Sequence, residues 1–146
     1  MERPRLLVLE DGTEYQEFAR MFLADRWEVV PARSADQALE VLKEAPVGAM
    51  LLDLRFERAQ PEDLTGDVTA VAQRMFGGDI QRALRWLKDQ QGTLILKVLR
   101  EAGHHQRAVF VHDFAEDRLA NLRRLYGDVH SVPGFDAVAI GEALTA

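Results

Sequence analysis

Two short apolar runs in this chain end on acids. Leu6-Leu7-Val8-Leu9 leads into Glu10-Asp11, and Gly48-Ala49-Met50-Leu51-Leu52 leads into Asp53. A short apolar run closed by an acid reads as a buried parallel strand that delivers a carboxylate to the edge of a sheet. Ligands of open α/β sheets bind at that edge. If the two strands are neighbours, Glu10, Asp11 and Asp53 converge on one pocket. Either site alone is equally a polar residue closing a strand; two of the same form, separated by a strand and two helices, favour function.

The intervening pattern supplies the elements that must position these acids. Gly12-Thr13 turns the chain into a helix with Tyr15, Phe18, Ala19 and Phe22 on one face. Trp27-Glu28-Val29-Val30 reads as a second strand closed by Pro31. Ser34 and Gln37 form a capping box for a helix that buries Ala35, Ala38, Leu39 and Leu42. The third strand ends at Asp53. The periodicity then changes over 57–91, where Val68, Val71, Ala72 and Met75 predict a short helix. Asp79 caps another, with Ile80, Ala83, Leu84 and Leu87 inward and Trp86 beside them. This stretch reads as a helical insertion, because so long a structureless connection is improbable in a compact domain.

Gly92-Thr93 opens a helix burying Ile95, Val98, Leu99 and Ala102. Ala108-Val109-Phe110-Val111 is a fourth strand, ending at His112-Asp113, and a helix carrying Ala115, Leu119, Leu122 and Tyr126 follows. Val129-His130-Ser131-Val132 is a fifth strand. Asp136 caps a last helix with Phe135 and Ile140 at staple spacing. Strands alternating with helices five times predict right-handed crossovers and one doubly wound parallel sheet covered on both faces.

At 146 residues the chain is expected to be one domain, long enough to bury roughly 68–70% of its unfolded surface. A net charge of −6 argues against a nucleic-acid partner. The absence of cysteine excludes disulfides, thiolate metal sites and cysteine nucleophiles. No apolar run is long enough to suggest a signal peptide or a membrane span, so the expected compartment is the cytoplasm, with no membrane partner.

The acidic pair Glu10-Asp11 after strand one, Asp53 closing strand three, and the helix from Gly92 to Arg100 together resemble the receiver domain of bacterial two-component response regulators, the CheY-like fold. The resemblance covers nearly everything outside 57–91. It implies a flavodoxin-like sheet of order 2-1-3-4-5, with Glu10, Asp11 and the carbonyl of Arg55 as Mg²⁺ ligands beside Asp53, which ligates the metal and accepts a phosphoryl group. Three carboxylates in one pocket repel unless a cation lies among them. Mg²⁺ takes a few carboxylates with water and phosphate oxygens, and an ionised aspartate beside it is a competent nucleophile.

The departures from the family are equally specific. It places a Ser or Thr at the end of strand four and a Lys before the proline after strand five; here His112 and Val132 stand at those positions. No Ser or Thr lies in 108–116 and no Lys in 127–146, so shifting the alignment by one residue restores neither side chain. Losing one preorganised donor of this kind costs about 10²–10³ in rate. His112 can hydrogen-bond a carboxylate, bind a transition metal or serve as a neutral polar cap. Leu9-Glu10-Asp11-Gly12-Thr13 resembles the D-x-D-G-T nucleophile motif of haloacid-dehalogenase phosphatases, but Leu9 stands where their nucleophile belongs. Arg82, Arg85 and Lys88 around Trp86 read either as a protein-docking surface or as a solvated helix face.

These features combine into a receiver-like signalling module that acts by binding protein partners, with its Asp53 switch impaired or lost and Mg²⁺ bound weakly at most. Its rivals are a functional phosphoacceptor with an unconventional readout and a metal-dependent phosphohydrolase.

Overall fold

A computed structural model of the chain describes residues 2–145. Five strands, β1 (Arg5–Leu9), β2 (Glu28–Ala32), β3 (Ala49–Leu52), β4 (Arg107–Val111) and β5 (Val129–Val132), form one sheet. All pairings are parallel and the order is β2-β1-β3-β4-β5, as the resemblance implies. Among the described residues seven α-helices surround it: α1 (Glu14–Phe22), α2 (Ala35–Glu44), α3 (Val68–Met75), α4 (Ile80–Asp89), α5 (Gln91–Glu101), α6 (Glu116–Tyr126) and α7 (Ala137–Thr145).

The two-residue period of the central strands sorts the core into two layers. Leu6, Val8, Ala49, Leu51 and Val109 pack with Tyr15, Ala19 and Leu23 from the α1 side and Ile140 and Leu144 of α7. Leu7, Leu9, Met50, Leu52, Ala108 and Phe110 pack with Ala38 and Leu42 of α2, Ile95 and Leu99 of α5, and Leu122 of α6. Strands buried on both faces have no polar positions, which is why β1 and β3 read as unbroken apolar runs. The second strand differs from expectation by running through Pro31, which pairs in register with Val8. β2 is an edge strand, where a residue without an N–H is tolerated.

Several expected faces are redrawn. Phe22, Met75 and Ile80, each at the end of a short helix, are 57%, 51% and 41% exposed. Ala102 is exposed, and the buried residue near that end of α5 is Arg100, whose guanidinium donates to the carbonyls of Tyr126, His104 and Asp128. Phe135 turns its ring onto Tyr15 and Phe18, at centroid distances of 4.8 and 5.0 Å. The Ser34, Asp79 and Asp136 caps form, each accepting a backbone N–H three residues on, but the Gln37 side chain of the expected capping box accepts the Arg33 N–H rather than that of Ser34. Asp67 caps α3 in the same way.

The stretch 57–91 is anchored at its far end by Gln91, which is fully buried. Its side-chain amide donates to the carbonyls of Thr65 and Leu87 and accepts the Thr65 N–H. The Phe56 N–H donates to the carbonyl of Lys88, closing the stretch on itself. Gly92, the next residue, lies against the end of β3. A Cβ there would stand 2.4 Å from the Asp53 carbonyl oxygen and 2.9 Å from Leu54 Cα, both backbone atoms that cannot step aside. Gly92→Ala is therefore expected to cost about 1–3 kcal/mol by overpacking. Gly141→Ala meets nothing within 4 Å and is expected to stabilise α7 by about 0.5–1 kcal/mol. Urea unfolding of both variants beside the parent chain checks the contrast.

Candidate acidic site

β1 and β3 are paired neighbours, so the acids that follow them do reach one edge of the sheet. They do not all face the same way. Glu10 continues the alternation of Leu6 and Val8 toward α1, and there it is almost completely buried. Its carboxylate accepts the backbone N–H groups of Tyr15 at 2.9 Å and Gln16 at 2.8 Å. These are among the free donors of the first turn of α1, where the helix dipole also favours an anion. Thr13, the capping position itself, makes no side-chain cap bond. Burial raises the pKa of Glu10, and the two backbone bonds oppose that rise.

Asp11 and Asp53 line a polar cleft of about 230 Å³ together with Arg55, Glu57 and Arg58. Asp11 accepts the Arg58 backbone N–H at 2.6 Å. Asp53 accepts the Arg55 backbone N–H at 3.3 Å. The Tyr15 hydroxyl lies 3.3 Å from Asp53 Oδ1 and 3.4 Å from the Val111 carbonyl, close enough to share its proton between them. Burial and the Asp53 charge push the Tyr15 phenol upward, so it remains a donor. Burial, chiefly, raises Asp53 from 3.8 to about 6; the Arg55 N–H opposes the rise and the Asp11 charge adds to it.

The side chains at the two switch positions do not offer donors to this cleft. His112 sets its ring edge-on to Phe114 at 4.7 Å, and burial, followed by Arg55 and Arg118, lowers its pKa. Val132 is buried in the layer beneath α1 and α7. His130, in β5, sits 2.8 Å from Asp128 Oδ1.

Of the stretch 57–91, only Glu57 and Arg58 line the cleft, so α3 and α4 do not cover its mouth. Arg82 and Arg85 are exposed, with Arg82 over the Phe76 ring at 5.0 Å and Arg85 paired with Asp89 at 3.9 Å; Trp86 and Lys88 are half-buried. Sequence reasoning missed Tyr15 as a neighbour of Asp53, having counted it only as helix core, and missed Arg58 and Gln91 altogether. A loop arginine a few residues past a strand-end acid was the one available signal for Arg58.

The strand ends give the cleft two carboxylates, with Glu57 also in its lining and two guanidinium groups beside them. Among the described residues no three His, Cys, Asp or Glu side chains are arranged to hold a metal ion. Both Glu10 oxygens accept α1 N–H groups, and the arginines already supply positive charge beside the two carboxylates.

No protein-family model and no curated protein matches this sequence. Solved structures do match. A response regulator receiver protein from Pseudomonas putida aligns at a TM-score of 0.64 and 16% identity, over 99% of this chain and 97% of that one. A sensor protein from Polaromonas sp. JS666 aligns at 0.63 and 20% identity, over 98% and 94%. A response regulator receiver domain protein from Clostridium thermocellum aligns at 0.59 and 14% identity, over 97% and 90%. At such identities the likeness is one of fold, and the chain has the CheY-like fold of response regulator receiver domains.

The Asp53 shift carries a pH dependence. Between its ordinary value of 3.8 and about 6 the folded chain keeps a proton that the unfolded chain releases. Stability therefore falls as pH rises through that window and is level above it. Asp53→Asn is expected to match the parent near pH 4 and to exceed it by about 1–2 kcal/mol at pH 7–8, allowing for partial solvent screening. Urea unfolding across pH 4–8 reads both ends of the comparison.

Proposed function

We propose that this chain is a signal-transduction module that works by binding protein partners rather than by catalysis, with its phosphoryl-acceptor switch impaired or lost. The observation that carries this reading is the state of the two switch positions. A hydroxyl that could turn toward a phosphoryl group on Asp53 is replaced by the His112 ring held against Phe114. The cation that could pair with a phosphoryl oxygen is replaced by buried Val132. Glu10 is withdrawn from the cleft as well, so a divalent cation would rest on Asp11 and Asp53 with the Arg55 carbonyl and bind weakly.

Acetyl phosphate with Mg²⁺, followed by intact-mass spectrometry, tests the reading. Labelling of Asp53 is expected to be slow and incomplete, and NMR shifts on adding beryllofluoride should stay within the cleft. Rapid stoichiometric labelling with large shifts in α6 would instead establish the second reading, a working phosphoacceptor with another readout, which the shared cleft of Asp11 and Asp53 supports. A metal-dependent phosphohydrolase is the least favoured reading, because the cleft holds no base for a water beyond its carboxylates.

The partner surface we propose is the exposed basic side of α4, with Arg82 and Arg85 foremost and half-buried Trp86 and Lys88 beside them. Both arginines point away from the core, so Arg82→Glu with Arg85→Glu is expected to change stability by less than about 0.5 kcal/mol each. Partner affinity should fall tenfold or more, which requires only about 1.4 kcal/mol. Thermal melts and calorimetric titration of the cognate partner separate the two effects.

A further inference from the structure

Gly12, Glu14 and Arg58 meet in a contact that the proposed function does not use. Arg58 comes from the loop after β3, 44 residues beyond Glu14, and its guanidinium pairs with the Glu14 carboxylate. The same residue's backbone N–H holds Asp11 at 2.6 Å. The pair lies directly over Gly12, where a Cβ would come within 2.3 Å of Arg58 Nη1 and 2.4 Å of Glu14 Oε2. Gly12 does not adopt a left-handed backbone, so its conformational freedom is not what the position uses. What it provides is room: the missing side chain lets a cation from the loop after β3 close on an anion from the first turn of α1.

We propose that Arg58 is a strap across the acidic cleft: pinned by Glu14 over Gly12, it holds the loop amide on Asp11 and keeps the Asp11–Asp53 pair closed to a divalent cation. This rests on the reading of an impaired acceptor and gives it a physical cause in the loop as well as in the two lost switch residues. Arg58 lines the cleft beside both acids, so the strap acts at the place where a cation would sit. It is also reversible. Both partners are more than half exposed, and an exposed pair is screened by salt and held only weakly. The Arg58 bond lowers the Glu14 pKa to about 2, so Glu14 keeps its charge at neutral pH.

Three properties of the contact make it testable without removing the arginine. Gly12→Ala changes no charge; its new methyl meets the far ends of two flexible side chains and displaces them. Glu14→Gln releases Arg58 while removing an anion from near the cleft. Long-range charge alone predicts that Glu14→Gln weakens cation binding, whereas loss of the strap predicts that it strengthens it. The Glu10 carboxylate accepts the Tyr15 and Gln16 amides, which report on α1 independently of the strap.

The experiment titrates the full chain with Mn²⁺ alone and follows paramagnetic broadening of amide signals around Asp11, Asp53 and Arg55. A strap closed in about nine molecules of ten lowers apparent affinity about tenfold, so both variants are expected to bind Mn²⁺ about tenfold more tightly than the parent. Hydrogen exchange at the Arg58 amide should accelerate in both, with the Tyr15 and Gln16 amides unchanged. Parent-like affinity in both folded variants, or weaker binding by Glu14→Gln, overturns the proposal. If the parent chain itself binds Mn²⁺ tightly and is labelled rapidly by acetyl phosphate, the impaired-acceptor reading falls, while the ratio of variant to parent still judges the strap.

Discussion

A buried carboxylate must find donors, and Glu10 finds them in two free backbone N–H groups at the start of α1. This bond ties the end of β1 to the beginning of α1 and places the turn between them, Asp11 to Thr13, over the edge of the sheet. Tyr15 is carried by the same first turn, so its hydroxyl reaches Asp53 at the end of the neighbouring strand. Phe135 then closes over Tyr15 from the loop before α7. The position of the acidic edge thus follows from satisfying one anion, whose two oxygens each accept an N–H from the first turn of α1.

The opposite side of the edge is held by packing. Gly92 lets α5 approach the Asp53 carbonyl more closely than any other residue would allow, and its N–H donates to the Leu54 carbonyl at 2.9 Å. Gln91 beside it satisfies both backbone groups of Thr65 and the last turn of α4. Two short helices that would be marginal alone are thereby fastened to the strand end that carries Asp53. Phe56, itself buried, adds the bond to Lys88 from the other end.

The architecture could be read in the sequence because its signals are periodic. Unbroken apolar strands, helical faces and polar caps repeat over many residues, and the sheet order followed from the acids at two strand ends and the family they resemble. The direction of a single side chain does not repeat. That Glu10 turns to α1 was in principle readable from its parity with Leu6 and Val8, but the acid's fitness as a ligand hid its fitness as a cap. Arg58 offered only its place a few residues past a strand-end acid, because a loop arginine has no periodic signature and its partner Glu14 is distant in the chain. Helix ends also misled: Phe22, Met75 and Ile80 fit an apolar face by spacing, yet spacing does not say whether an element lies opposite.

A cleft that contains its own cations behaves differently from one that borrows a metal. Arg55 and Arg58 cannot diffuse away, so the charge balance around Asp11 and Asp53 depends on where the loop after β3 lies rather than on the concentration of an ion. That loop is short. Arg58 stands two residues from Phe56, and Phe56 is bonded to the carbonyl of Lys88 at the end of α4. Arg58 and the Phe56–Lys88 bond therefore fall within one short segment, between the acidic cleft and the end of the basic helix. Coupling between two sites requires an element whose position both of them bias. Residues 55–58 touch both regions, with Arg55 and Arg58 in the cleft lining and Phe56 bonded to the end of α4.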